Sequence, residues 1–175
     1  FENMTQDDMA LPFVRILGQL SPQVTDGDSK FIDGAKPGMI YNTVTNDLFD
    51  GKKGIKVIPC YYKKDYPEWS DRGDGPGAPV ATHSPGSPVI QTGKRDGSKI
   101  RLPNGNYLEE TAYYYVMVEN KQGGYSPALI TMKSTQLSVS KKWNSMMKSV
   151  QIDDGKGGFD TPPMHGVVYN LQSNL

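Results

Sequence analysis

The densest concentration of usable chemistry in this sequence is "YYKKDYPEW" at residues 61–69, where Tyr61, Tyr62, Tyr66 and Trp69 are interleaved with Lys63 and Lys64. Flat rings can stack on exposed nucleic-acid bases, each stack contributing about 1–3 kcal/mol. Ammonium groups beside them can neutralise phosphates, adding affinity that is independent of base sequence and weakened by salt. A second concentration is "TAYYYVMVE" at 111–119, with three consecutive tyrosines, and "SKKW" adds Lys141, Lys142 and Trp143. Trp143 falls on the apolar stripe of a helical pattern and reads as core.

Other chemistries find less support. His83 and His165 sit outside any GxSxG-type setting. Cys60 is the only cysteine, so a disulfide framework and a CxxC metal site are excluded, which fits a reducing compartment. The adjacent acids Glu109 and Glu110, and Asp153 and Asp154, read as solvated loop carboxylates. A Mg²⁺-dependent nuclease needs several spaced carboxylates, and no such set is evident. "GDGPG" and "DGKGG" lack the Lys-Ser/Thr ending of a phosphate-binding P-loop. The expectation is a chain that is not an enzyme and carries no metal or cofactor.

Length and composition bound the rest. The 175 residues suffice for one domain with a real core, and 36% hydrophobic with 22% charged residues describes a globular chain. The net charge is zero, but it is segregated. Residues 1–50 hold eight acids and three bases, leaving eleven acids and sixteen bases in 51–175. Windows 51–64 and 120–152 each carry five lysines and no acid. Such segregation suits an anionic partner; a solvated lysine-rich surface is the alternative. No apolar run reaches the length of a membrane span, and no signal peptide is visible.

These residues need elements to position them. In 111–119, strand alternation puts Ala112, Tyr114, Val116 and Val118 on a core face and Tyr113, Tyr115, Met117 and Glu119 on the other. "GIKVIPCYYKK" predicts a strand with Ile55, Val57 and Tyr61 on one face and Lys56, Ile58, Cys60, Tyr62 and Lys64 on the other. Pro59 within it marks an edge or a bulge. Residues 70–98, rich in Gly, Pro and Ser, predict one long loop of the kind that is mobile or functional. "LPNGNYLEE" predicts an Asn-Gly hairpin. "PALITMK" predicts a strand with Ala128, Ile130 and Met132 facing the core. "STQLSVSKKWNSMMKS" predicts a helix capped by Ser134 or Thr135, with Val139, Trp143, Met146, Met147 and Val150 as its apolar stripe. "MHGVVYNLQ" predicts a final strand. The organisation is a flexible arm at 1–10 followed by a single domain over 11–175. The fold class is all-β with one helix; an OB-fold-like small antiparallel barrel with long loops leads, because closure removes exposed edges, and a β-sandwich is the runner-up.

Several strings, "KPGMIYNTVTNDLFDGKKGIKVIPCYYKKDYPEW", "LPNGNYLEETAYYYVMV", "MKSTQLSVSKKWNSMM" and "TPPMHGVVY", together resemble a family of bacteriophage single-stranded DNA-binding proteins of replication and recombination. The resemblance covers most of residues 11–171. It implies an OB-fold, no catalysis, and the coating of single strands in the cytoplasm of an infected bacterial host, with phage replication or recombination proteins as further partners and oligomerisation left open. Phage proteins of this kind often end in an acidic tail, whereas this chain ends "YNLQSNL".

The sequence-level site follows from the faces. Tyr62, Tyr113 and Tyr115 would stack bases. Lys56, Lys63, Lys64, Lys133, Lys141 and Lys142 would meet phosphates. Trp69 and Arg72, with Lys94 and Arg95, flank the loop at 70–98, which could close over a strand. The competing readings are that Tyr113 and Tyr115 pack beneath the loop or helix, that the chain is a phage structural or assembly protein, or that it is a nuclease.

Overall fold

A computed structural model describes residues 2–71 and 77–175. In chain order, β1 (Val14–Ile16), β2 (Ile40–Asn42) and β3 (Leu48–Phe49) precede the long β4 (Ile55–Trp69). β5 (Ala81–His83), α1 (Pro88–Thr92), β6 (Lys94–Asp96), β7 (Lys99–Arg101) and β8 (Tyr107–Glu109) follow. β9 (Thr111–Glu119) and β10 (Tyr125–Lys133) lead into α2 (Gln136–Ser149). β11 (Ile152–Asp153), β12 (Phe159–Asp160) and β13 (Tyr169–Leu171) complete the order. Among the described residues the chain is therefore mostly β with two α-helices, one more than the sequence predicts.

β1, β2 and β3 form a three-stranded antiparallel sheet. The large sheet has the order β10-β9-β4-β8-β7-β6, with β5 and β13 also pairing β4. Among the described residues these pairings do not close into a barrel. The all-β character is as expected; the OB-fold-like closed barrel is not drawn by these pairings.

The chain groups into two compact units. The first holds Phe1–Tyr61, Tyr115–Ile130 and Pro163–Leu175; the second holds Tyr62–Tyr114 and Thr131–Pro162. The core of the first is built from Leu17, Ile40, Ile55, Val57, Val116, Val118 and Ile130. Leu129, expected to face away from the core with Thr131 and Lys133, is buried as well. Its backbone N–H donates to the Pro12 carbonyl at 2.8 Å, so the segment before β1 covers that face. Gly51 is required here: a Cβ at this position would overlap the backbone of Gly38.

In the second unit, Ile100, Leu102 and Leu108 form a small core against which Tyr66, Val89 and Ile90 pack. Trp143 and Met147 of α2 are buried in this unit together with Ser140. Val139 and Met146, predicted as part of the apolar stripe, are instead about half exposed, at 54% and 49%. Ser140 takes an inward position because it gives polar partners to a buried tyrosine hydroxyl. No side-chain cap closes the start of α2, although Thr135 holds the N-cap position.

The predicted long loop contains structure. Ser87 caps α1 by accepting from the Val89 N–H, with Pro88 in the first turn. Gly97, at φ +61°, turns β6 back onto β7. Residues 72–76 of that loop, Arg72 among them, lie outside the described residues. The Asn-Gly hairpin is present, with Gly105 at φ +87° between β7 and β8. The final strand is shorter than predicted: His165 lies in a 3-10 turn, Met164–Gly166, ahead of β13. No helix among the described residues is long and apolar enough to cross a membrane.

Candidate nucleic-acid interface

β9 alternates as its sequence dictates. Thr111, Ala112, Tyr114, Val116 and Val118 are buried, while Tyr113, Tyr115, Met117 and Glu119 are only partly covered. Tyr114 is fully buried in the second unit, its ring 4.5 Å from that of Trp143. Its hydroxyl lies 2.7 Å from Ser140 Oγ and 2.8 Å from Asn144 Oδ1. Burial pushes the Tyr114 phenol up to about 12. The central tyrosine of the triplet is thus structural, and its two neighbours are the candidates for contact.

β4 departs from simple alternation. Ile55, Val57 and Pro59 are buried, but Cys60 and Tyr61 are both exposed in succession. Two consecutive exposed residues break the alternation after Pro59. Tyr61, expected inside with Val57, is 58% exposed. Tyr62, expected outside as a stacking ring, is partly covered, with its ring 5.1 Å from that of Tyr114. Tyr61 therefore joins the candidate rings.

In the first unit, Tyr61 and Tyr115 bring their rings to 5.8 Å at a 55° tilt. Exposed Lys56 is on β4 nearby in sequence, and its backbone N–H donates to Glu119 Oε1 at 2.9 Å. No ion-pair partner of the Lys56 ammonium is found among the described residues.

In the second unit, Lys63 lies over the Tyr113 ring at 5.2 Å and pairs with Asp65 at 3.0 Å. Lys64 pairs with Glu110 at 3.0 Å, and Lys133 with Glu109 at 3.0 Å. Lys133 also lies 5.5 Å from the centre of the Trp69 ring, whose Nε1 is buried without a hydrogen-bond partner among the described residues. Trp69 as a whole is partly exposed. Glu109 and Glu110, read from the sequence as solvated acids, are the counter-charges that engage two of the predicted phosphate-binding lysines. Glu109 is 8% exposed, so its charge has a partner for physical reasons. Lys141 and Lys142 are exposed on α2, with no ion-pair partner among the described residues. Lys94 and Arg95 lie on exposed β6.

A further polar cluster in this unit is not legible from the sequence. Buried Glu68 accepts from Asn106 Nδ2 at 2.9 Å and Asn104 Nδ2 at 3.2 Å, and its other oxygen lies 2.7 Å from His83 Nε2. The Asn106 bond first, then that from His83, holds the Glu68 carboxyl below its ordinary value. The cluster ties β5 and the Asn-Gly hairpin to β4. Among the described residues, no three His, Cys, Asp or Glu side chains converge in a way that could hold a metal ion.

Comparison with known proteins adds one match. A family model described as Pam3 phage gp34-like protein matches residues 1–175. No curated protein and no solved structure matches the chain.

Proposed function

We propose that this chain, which belongs to the Pam3 phage gp34-like protein family, is a single-stranded DNA-binding protein without catalytic activity. It coats exposed strands during phage replication or recombination in the host cytoplasm. The observation that carries this reading is the Tyr61–Tyr115 pair: two large rings brought together away from the core, one of them more than half exposed. Exposed rings lose favourable burial, and a base stacked on them restores it. Tyr113 beneath the Lys63 ammonium adds a second ring in the other unit. Lys56, Lys141 and Lys142 supply uncommitted positive charge. The small OB-like β-barrel expected from the sequence belongs to this same reading.

A phage assembly role is the second reading. It is favoured by the engagement of Lys63, Lys64 and Lys133 with carboxylates, and by exposed Val139 and Met146 on α2. A fluorescent oligonucleotide titrated with the chain across a salt series separates the two. The proposed function gives binding to single strands in preference to duplex, weakening as salt rises. The assembly reading gives no oligonucleotide binding and concentration-dependent self-association. Cleavage of the oligonucleotide with Mg²⁺ or Mn²⁺ would contradict both.

A further inference from the structure

The acidic N-terminal fifty residues contain only three bases, and two of them, Arg15 and Lys30, line one open groove of about 490 Å³ in the first unit. Small-molecule sites commonly enclose roughly 300–1,000 Å³. No carboxylate lines the groove among the described residues. Neither Arg15 nor Lys30 has an ion-pair partner among those residues, and both line the groove.

The local structure holds these groups in place. Arg15 on β1 stands directly opposite Tyr41 on β2 in the antiparallel register. Its guanidinium lies 4.7 Å over the Phe13 ring, which fixes the side chain's direction. The Ile32 N–H donates to the Gln23 carbonyl at 3.0 Å, closing a loop that brings Gln23, Lys30 and Phe31 to the same groove. Asp28, the acid closest in sequence to Lys30, turns its Oδ1 to the Lys30 backbone N–H at 2.8 Å. Tyr41 is 7% exposed as a residue and lines the same groove. Phe31 is 41% exposed and presents a ring at the groove.

We infer that this groove binds a nucleoside monophosphate unit. Arg15 and Lys30 hold the phosphate, Phe31 stacks on the base, and the Tyr41 hydroxyl and Gln23 amide complete its polar contacts. An Arg fork matches phosphate geometry and Lys adds a point charge. The unit can be a free nucleotide or the 5′-terminal nucleotide of a strand. The inference uses residues 15–41 only, so it does not depend on the ring pair of the proposed function.

Calorimetric titration of the intact chain with deoxyadenosine monophosphate, deoxyadenosine, inorganic phosphate and a dinucleotide with and without a 5′-phosphate tests it. Saturable binding of the monophosphate or of the 5′-phosphorylated dinucleotide is the expected result, with the former marking a free nucleotide and binding of the latter alone marking a strand end. Deoxyadenosine and phosphate should each bind at least about tenfold more weakly, as loss of charge-assisted hydrogen bonds or of stacking requires. The doubly substituted Arg15→Ala, Lys30→Ala chain, altered only at exposed side chains, should lose about tenfold or more in affinity with an unchanged melting temperature. Absence of saturable binding by any nucleotide, equal binding by the double variant, or inorganic phosphate binding as tightly as the nucleotide would overturn the inference.

Discussion

Lys64 Nζ lies 3.0 Å from Glu110 Oε1, and that hydrogen bond raises the Lys64 pKa above its ordinary value. A lysine already engaged in this way offers a phosphate less than a lysine in open solvent. Lys141→Ala with Lys142→Ala should therefore reduce the salt dependence of oligonucleotide binding by about 0.7 per lost phosphate contact, with no change in melting temperature. Lys64→Ala should leave the salt slope unchanged and lower stability by up to about 1 kcal/mol, since the partly exposed pair is screened. Salt-series anisotropy and thermal melts on the same preparations check both.

The hydroxyl of Tyr114 is buried among Ser140 and Asn144. Tyr114→Phe should lower stability by about 1–3 kcal/mol, because buried polar partners are left unsatisfied. It should leave oligonucleotide affinity unchanged. Chemical denaturation and anisotropy together decide this.

The same phenol makes an alkaline prediction. Its pKa is about 12 in the folded chain against an ordinary 10.0. The unfolded chain releases this proton first as pH rises, so the contribution to stability is complete below pH 10.0 and is lost on the way to about 12. Stability measured across that window should fall in the parent chain and fall less steeply in Tyr114→Phe.

Glu68 predicts the acid limb. Its carboxyl is held below the ordinary 4.5 by Asn106, His83 and Asn104. A depressed folded pKa gives stability that is present above pH 4.5 and lost as pH falls through the folded value. Glu68→Gln should be less stable than the parent at neutral pH, and the difference between the two should shrink below pH 4.5. Denaturation midpoints from neutral to acid pH provide the measurement.

The parts of the fold that follow from a single strand's own pattern are legible in the sequence. β9 is the clearest case, because Ala112, Tyr114, Val116 and Val118 alternate with Tyr113, Tyr115, Met117 and Glu119, and the burial follows. The hairpin at Asn104–Gly105 is legible because Gly supplies the positive φ the turn needs. β4 is not, since its burial alternates only as far as Pro59 and strict period-two reasoning misplaces Tyr61 beyond that point. The helix stripe fails at Ser140 for a different reason: a small polar residue is inside because a hydroxyl from another element requires it. The Ser87-Pro88 signature of α1 is present in the sequence and is masked by the Gly and Pro content around it. At the site, the ion pairs of Lys64 and Lys133 join residues 24 or more positions apart, and no local pattern announces them.

The central claim concerns rings on the outside of the first unit. Its most direct measurement is the affinity of a fluorescent single-stranded oligonucleotide for the parent chain and for the Tyr61→Ala, Tyr115→Ala double variant, with melting temperatures recorded for both. The account predicts binding by the parent and a loss of about 2–4 kcal/mol in the variant, as expected for one to two lost base stacks, with a nearly unchanged melting temperature. A parent chain that ignores the oligonucleotide, or a variant that binds as tightly as the parent, would contradict it.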